Sequence, residues 1–248
     1  MRWEEGVCVL EGPDLIDAAF ESGAQFEALF VDRGALSEPG LSALVQRATS
    51  AGVEVFSLEP GVLDKVADVQ TPQPVLATVH LRVSQLAELD RIEVLGLVMV
   101  LDDVRDPGNA GTIIRSSDAA GVSAVVLSGD CVDPFNPKTL RASAGSVFHL
   151  PLVIAGLAET LSYLRSRGAR SFATVVRGGT PMRSCDLSGP CVAVIGNEAA
   201  GLDDAALELC DATLTIEMAG RAESLNAGVA ASLIAFEALH QRRGTTAG

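Results

Sequence analysis

Three short polar segments in the second half of the chain carry side chains that could do chemistry. They run from Asn109 to Arg115, from Gly196 to Gly201 and from Ile216 to Asn226, and each follows a short apolar run. An apolar run that ends in Gly, Asn or Ser is typical of a buried strand whose loop lies at the carboxyl edge of a parallel sheet, where open α/β folds bind ligands. The three segments therefore predict one composite site.

The first segment places an amide and a guanidinium on the first turns of a predicted helix. Asn109 is a good helix cap, and Arg115 follows six residues later, about one and two-thirds turns on. Taken alone, these two residues are interpreted as a cap and as an ion-pair partner of Asp118 or another carboxylate.

The second segment combines glycines with one carboxylate. Its sequence, GNEAAG, is not GxGxxG and is not followed by a phosphate-binding lysine, which excludes a P-loop NTPase. The glycines allow the backbone to approach a ligand closely, while Glu198 either accepts hydrogen bonds from ligand hydroxyls or caps the following helix.

The third segment brings apolar side chains into a polar loop. Ser224 is a natural cap for the last helix of the chain, and Leu225 stands next to it. Together with Ile216 and Met218 around Gly196, Leu225 would supply the apolar wall that a purine ring needs.

Alternating apolar runs and helical patterns predict an α/β fold that positions these segments. Strands are predicted at 7–10, 28–31, 53–56 and 75–81, with helices at 14–21, 41–51 and 61–67, and again at 97–101, 122–127, 150–154, 171–176, 191–195 and 212–216. The near-continuous apolar runs of the second set predict a parallel sheet that is covered on both faces. A polar stretch at 84–94 predicts a linker between a domain at 1–83 and a domain at 95–248.

The last predicted helix, residues 224–243, carries a broad apolar band rich in alanine. This band fits either a dimer seam or simple packing on the helix's own sheet, and the sequence leaves both interpretations open.

Charge and composition limit the classes of partner. The net charge is −14, and residues 1–90 hold 5 basic against 15 acidic side chains, which argues against non-specific binding of a polyanion. No apolar run is long enough to span a membrane, so we expect a cytoplasmic protein. The five cysteines form no CxxC pair and the three histidines lack metal-ligand spacing, so we expect reduced thiols and no metal.

Taken together, the three segments resemble the three motifs of the SpoU (TrmH-like) branch of the SPOUT RNA methyltransferases. The stretch from Pro134 to Ser146, with Leu150-Pro151, resembles the family's segment between motifs one and two, so the resemblance covers about residues 97–239. Glu11-Gly12-Pro13 and the segment 71–77 are similar to the small ribosomal-protein-like substrate-binding domain of such enzymes. This layout resembles the rRNA ribose methylases of the thiostrepton-resistance type, which favours rRNA over tRNA.

The resemblance implies a carboxy-terminal SPOUT domain with a trefoil knot, a homodimer, and methyl transfer from S-adenosyl-L-methionine to a ribose 2′-hydroxyl of structured RNA. It places at the reacting centre Asn109, Arg115, Glu198, Ser224 and Asn226. It places around the cofactor Thr174, Val175, Gly196, Asn197, Ile216, Met218 and Leu225. The chain departs from the family pattern at Glu217, where a proline is usual, and at Ala227-Gly228, where Val-Ser is usual, but neither change removes a group that the chemistry requires.

Basic side chains beside the motif loops are candidate RNA phosphate contacts: Arg105, Lys138, Arg141, Arg177, Arg183 and Arg221, in addition to Arg115. A local positive site in an acidic protein predicts weak affinity for generic RNA and recognition of folded RNA shape.

The family assigns the hydroxyl proton to Arg115, but a guanidinium has a pKa above about 12. We favour a clamp, in which Arg115 holds a phosphate and stabilises a developing alkoxide while a phosphate oxygen or water takes the proton. Deprotonated Arg115 as the base is the alternative.

Two other functions compete with RNA methylation. A cofactor-binding or ribosome-associated RNA-binding protein without catalysis is disfavoured because Asn109, Arg115, Ser224 and Asn226 are all present. A nicotinamide-dependent oxidoreductase is disfavoured because no strand is followed by GxGxxG.

Overall fold

A computed structural model of the protein describes residues 6–65, 72–80 and 82–245. The chain divides into two compact units, Met1–Arg82 and Val83–Gly248. Of the predicted helix at 61–67, residues 63–65 form a 3-10 turn, and the last two positions lie outside the described residues. Position 71 of the segment 71–77 and position 81 of the predicted strand at 75–81 also lie outside them.

The first unit contains a four-stranded mixed sheet with two helices. Its strands are β1 (Val7–Glu11), β2 (Phe26–Asp32), β3 (Glu54–Leu58) and β4 (Val75–His80), in the order β1-β4-β2-β3, and its helices are α1 (Pro13–Glu21) and α2 (Pro39–Ser50). Only β2 and β3 are parallel. Both helices start with a proline, whose fixed φ suits a first helical turn and whose missing N–H costs nothing there.

The second unit contains a seven-stranded sheet in which every pair is parallel. The strands are β5 (Leu97–Asp102), β6 (Ala124–Ser128), β7 (Leu152–Ile154), β8 (Arg170–Thr174), β9 (Thr180–Pro181), β10 (Cys191–Ile195) and β11 (Ala212–Thr215). The helices are α3 (Pro107–Ala119), α4 (Pro137–Ser143), α5 (Leu157–Ser166), α6 (Asp204–Leu209) and α7 (Ala227–Thr245). The predicted α/β fold with a parallel sheet is confirmed, while β9, with only two residues, was not predicted.

The strand order places the functional loops at one crevice. The order is β7-β6-β5-β10-β8-β11-β9. Strand β5 therefore has β6, the next strand in the chain, on one side and β10 on the other. Strands β6 and β10 are buried along their whole length, as expected for strands covered on both faces. The loops after β5, β10 and β11 therefore meet at a switch point of the sheet, where parallel folds bind ligands.

The segment 84–94, predicted as a linker, packs on the second unit. The Ser84 N–H donates to the Leu152 carbonyl at 2.8 Å, and Leu86 and Leu89 are buried in the core of this unit. Arg167 Nη2 donates to the Ile92 carbonyl at 3.0 Å. Within the described ranges, no helix is long and apolar enough to cross a membrane.

Two helix starts differ from the prediction. Asp106, not Asn109, caps α3, since its Oδ1 accepts the Asn109 N–H at 2.8 Å and Pro107 occupies the first turn. Helix α7 begins at Ala227 rather than Ser224, and Asn226 Oδ1 accepts the Val229 N–H at 3.2 Å. Because Asp106 caps the helix, the Asn109 side chain is available for the site.

Candidate active site

A cavity of about 590 Å³ opens at the carboxyl edge of the seven-stranded sheet. The loops after β5, β8, β10 and β11 and the start of α7 form its walls. It is lined by eleven of the twelve residues predicted for catalysis and cofactor binding, and these are Asn109, Thr174, Val175, Gly196, Asn197, Glu198, Ile216, Met218, Ser224, Leu225 and Asn226. The exception is Arg115.

Gly196 allows two backbone segments to meet at the floor of this cavity. A Cβ at position 196 would lie 2.5 Å from the carbonyl carbon of Gly201, which is a collision with backbone. Asn197 and Gly201 exchange two backbone hydrogen bonds of 3.1 and 2.9 Å, which close the loop. Any larger residue at 196 must therefore push the loop open.

One buried polar atom in the cavity wall has no partner within the described residues. Thr174 Oγ1, at the end of β8, is buried and makes no hydrogen bond within the described part of the chain. Because buried hydroxyls are normally hydrogen-bonded, this oxygen is available to a ligand. It lies in a wall that also contains the apolar side chains of Ile216, Met218 and Leu225.

Glu198 joins the first and second loops. Its Oε1 accepts from Asn109 Nδ2 at 2.9 Å and from the Asp106 N–H at 3.1 Å, and its Oε2 accepts from the Arg105 N–H at 3.3 Å. It does not cap the helix that follows it, since Asp203 caps α6. A negative side chain at the amino terminus of α3 is electrostatically favourable, so Glu198 serves a helix 90 residues earlier in the chain.

Partial burial alone would raise the pKa of Glu198. The hydrogen bonds from Asn109, from its own backbone and from the backbone of Asp106 and Arg105 oppose this, and the pKa is lowered. Glu198 is therefore an ionised acceptor with its oxygens already engaged, rather than a proton donor.

Two asparagines extend the network to the remaining loop. Asn226 Nδ2 donates to Asn109 Oδ1 at 2.8 Å, which joins the third loop to the first. Asn197 Nδ2 donates to the Asp103 carbonyl at 2.9 Å, and its Oδ1 accepts the N–H groups of Ala199 and Ala200 at 2.9 and 3.0 Å. All three loops are thus tied together by side chains that the sequence analysis had selected.

Arg115 lies apart from this network. Its side chain is exposed on α3, and among the described residues it has no hydrogen bond or ion pair. The predicted pair with Asp118 is wrong, because Asp118 Oδ2 pairs with His149 Nδ1 at 2.8 Å. The arginine most directly connected with the expected chemistry is therefore not part of the cavity of its own chain.

The predicted RNA-contacting cations are exposed and differ in how they are held. Arg105 binds Asp103 Oδ1 through Nε at 3.1 Å and Nη2 at 2.9 Å, and Lys138 Nζ lies 3.7 Å from Asp106 Oδ2. The others are exposed, namely Arg141, Arg177, Arg183 and Arg221.

The sequence analysis missed two residues that organise the site, Asp103 and Asp106. Asp-Pro at 106–107 is a helix-start signal that would have identified Asp106. Nothing in the sequence marks Asp103, whose importance comes from a backbone conformation and from contacts with Arg105 and Asn197.

Comparison with known families matches both units. The model of the SpoU rRNA Methylase family matches residues 96–236, and the model of the MRM3-like substrate binding domain matches residues 1–77. The first match includes all three loops of the cavity.

Individual relatives match almost the whole chain. The 23S rRNA guanosine-2′-O-methyltransferase RlmP of Bacillus subtilis is 34% identical over 95% of this chain and 89% of its own length. The AdoMet complex of the SpoU methyltransferase AviRb from Streptomyces viridochromogenes is similar with a TM-score of 0.87 and 32% identity, over 98% of this chain and 92% of its own. An AdoMet-bound rRNA methyltransferase from Sinorhizobium meliloti has a TM-score of 0.84 at 32% identity, over 96% and 89%.

Proposed function

Because this chain belongs to the SpoU rRNA Methylase family, we propose that it transfers a methyl group from S-adenosylmethionine to a ribose 2′-hydroxyl of rRNA. The observation that carries the proposal is the single cavity in which the three motif loops meet. Relatives of similar length are named as 23S rRNA 2′-O-methyltransferases, which favours rRNA over tRNA. The site of action is the cytoplasm.

The cavity fits the cofactor on the properties of its own residues. Gly196 lets the loop after β10 close against the backbone of Gly201 beside the cavity, and Ile216 and Leu225 provide an apolar wall. Thr174 Oγ1 offers an unused hydrogen bond beside that wall. When bound, S-adenosylmethionine supplies an electrophilic methyl group on a sulfonium.

The hydrogen-bonded side chains of the three loops form the part of the site where the ribose binds. Asn109, Glu198 and Asn226 hold the first, second and third loops in one arrangement before any substrate binds. Correct placement of a nucleophile is worth roughly 7 to 11 kcal/mol, so this order is itself a catalytic contribution. Ser224 lies in the cavity wall and makes no hydrogen bond within the described residues, so we assign its hydroxyl to substrate contact.

We assign Arg115 to the cavity of a second copy of the chain. On α7, Val229, Leu233 and Phe236 are 46, 43 and 48% exposed and recur at positions i, i+4 and i+7, which gives an apolar strip on one side of the helix. Helix α7 packs against α3, which carries Arg115. A two-fold symmetric dimer through this strip would cover the apolar side chains and offer each arginine to the partner's cavity.

The first unit and the rim cations are assigned to RNA recognition. Residues 1–77 match a substrate binding domain, yet residues 1–90 carry a net charge of −10. Generic phosphate attraction is therefore weak, and the exposed arginines near the cavity must provide local contacts with a folded RNA.

Methyl transfer to separate RNA pools tests the function directly. The protein is incubated with radiolabelled methyl donor and with rRNA or tRNA that lacks modification, and the product is mapped for ribose methylation. We expect label in rRNA, at a ribose, and at least about 100-fold slower labelling with the Arg115→Ala variant. Label only in tRNA or on a base would overturn the assigned substrate. Cofactor binding without any transfer would favour the catalytically silent alternative.

A further inference from the structure

Asp103 adopts a backbone conformation that side chains rarely take. Its φ is 59°, and within the described ranges Ala144 is the only other non-glycine residue with a positive φ. At eleven other described positions with positive φ the chain uses glycine. Aspartate tolerates this region better than most residues, but glycine would be free of strain there. An aspartate kept in this conformation beside a site indicates a task for its side chain.

The backbone of Asp103 does not need that side chain for its own bonds. The N–H donates to the Ser128 carbonyl at 3.1 Å, and the carbonyl accepts from Asn197 Nδ2 at 2.9 Å. Both bonds would survive in a glycine. What glycine cannot supply is the carboxylate, whose Oδ1 accepts from Arg105 Nε at 3.1 Å and from Nη2 at 2.9 Å, and whose Oδ2 lies at 3.5 Å from Asn197 Nδ2.

Arg105 lies at the rim of the cavity. Its own N–H donates to Glu198 Oε2 at 3.3 Å, and the next residue, Asp106, lines the cavity. The Arg105 side chain is 61% exposed. Asp103 engages the Nε and Nη2 edge, and Nη1 makes no hydrogen bond in the described part of the chain.

We propose that Asp103 is a positioning residue that holds the Arg105 guanidinium at the rim in the orientation that receives a phosphate of the RNA substrate. The inference rests on the proposed function and adds a residue to its RNA-binding step. An arginine already fixed at one edge loses less side-chain entropy when a phosphate binds its remaining N–H groups. Asp130 does not share this role, because its Oδ2 is 3.5 Å from Arg105 Nη2 and its side chain is 89% exposed.

The Asp103→Gly variant isolates the carboxylate, since glycine accepts the positive φ and keeps both backbone bonds. We expect the KM for rRNA to rise about two- to five-fold, the range that one exposed ion pair can supply. We expect kcat and the Kd for S-adenosylmethionine to stay within about a factor of two, and the Tm not to fall. Asp103→Asn, which tolerates the same backbone and keeps one oxygen acceptor, should restore part of the lost RNA affinity.

A double-mutant cycle with Arg105→Ala decides whether the two side chains act together. Arg105→Ala should raise the KM for rRNA as much as Asp103→Gly, and the double variant should add nothing further. Asp130→Asn is the matched control and should leave the KM within about a factor of two of the unmodified protein. The same cycle measured as RNA Kd, without turnover, separates this proposal from the methylation assay.

Three results would overturn the proposal. Additive effects of Asp103→Gly and Arg105→Ala would show that the residues act independently. A lower KM in Asp103→Gly would show that the carboxylate chiefly repels RNA. A weaker cofactor Kd with unchanged RNA affinity would make Asp103 a support of the cofactor loop alone. An unmodified protein that binds rRNA but transfers no methyl group would contradict the proposed function and leave the binding cycle to decide the role of Asp103.

Discussion

The interior of the cavity and the exposed face of α3 show opposite degrees of organisation. Inside, Asn109, Glu198 and Asn226 are joined by hydrogen bonds of 2.8 and 2.9 Å that link three distant loops. On α3, Arg115 is exposed and has no bonded partner among the described residues. Asn109 and Arg115 are only six residues apart in the chain.

This difference indicates which steps, cofactor binding or methyl transfer, a single chain can carry out without a second copy. The side chains that tie the loops together are already bonded to one another, whereas the buried Thr174 Oγ1 has no partner within the described residues, and a ligand can bind there. The exposed guanidinium of Arg115, in contrast, has no partner among the described residues and can bind a group from outside its own chain. We therefore infer that cofactor binding belongs to the single chain and that turnover needs a second one.

Replacing Arg115 should separate these two functions most clearly. We expect Arg115→Ala to lower turnover by about 100-fold or more while the cofactor Kd is unchanged, because the side chain lies outside the cavity. Under the clamp hypothesis, Arg115→Lys keeps measurable activity. A lysine variant as inactive as the alanine variant would count against the clamp, and a loss of cofactor binding in either would contradict the separation.

Replacing Gly196 should weaken cofactor binding, which Arg115→Ala leaves unchanged. In Gly196→Ala the new methyl group would collide with the backbone of Gly201 at 2.5 Å, so we expect cofactor affinity to fall by about tenfold or more. Calorimetric titration measures the loss. Gly189→Ala is a suitable control, because a Cβ there would meet nothing within 4 Å. If Gly196→Ala binds the cofactor as tightly as Gly189→Ala, the backbone at Gly201 can move aside without loss of the site, and the prediction is wrong.

Mixing the Arg115→Ala and Gly196→Ala proteins, at a cofactor concentration too low to fill the weakened Gly196→Ala cavity, tests whether the site is shared. If Arg115 serves the partner's cavity, a mixed dimer of Arg115→Ala and Gly196→Ala contains one complete site, and random exchange should restore roughly a quarter of normal turnover. If Arg115 serves its own cavity, no mixed dimer has a complete site. Sedimentation of Phe236→Glu, which places a charge in the exposed strip of α7, checks the dimer itself and should show the monomer. An inactive mixture of stable dimers would contradict the shared site.

The smallest effect is expected from Glu198→Gln. The amide has a single oxygen acceptor, so N–H groups at the start of α3 lose a partner, and we expect the Tm to fall by about 2 to 4 °C at neutral pH. Since the pKa of Glu198 is lowered from its ordinary 4.5, its stabilisation is complete above pH 4.5 and is lost as the pH falls through the lower folded value. The Tm difference between the two proteins should therefore shrink in acid. Parallel curves from pH 7 to pH 3 would show that the charge is irrelevant.

The sequence could predict much of the cavity because its residues sit on strong local signals. Buried strands that end in glycine or asparagine placed Gly196, Asn197 and Ile216 at one sheet edge, and the structure brings them together. The resemblance to the SpoU family is confirmed by the match over residues 96–236. The predicted trefoil knot, the dimer and the roles of the individual site residues remain predictions.

Other features were beyond the reach of local pattern. The strand at Thr180–Pro181 is too short to form an apolar run, and it exists because β11 offers it an edge. Ser224 and Asn109 both looked like helix caps, but Asn226 and Asp106 stood at the better positions. Competition between neighbouring polar residues for one helix terminus is decided by backbone geometry rather than by residue type.

The sequence by itself determined the α/β alternation and the parallel sheet, because periodicity and turn residues act over a few positions, and its resemblance to the SpoU family selected eleven residues that the structure brings together at one cavity. Tertiary structure alone decided that Glu198 supports a helix some ninety residues earlier, that Asp103 lies in the left-handed region and binds Arg105, and that Arg115 does not line the cavity of its own chain. These outcomes depend on which loops the sheet order brings side by side, and hydrogen-bond partners that are distant in the chain leave no periodic trace in it.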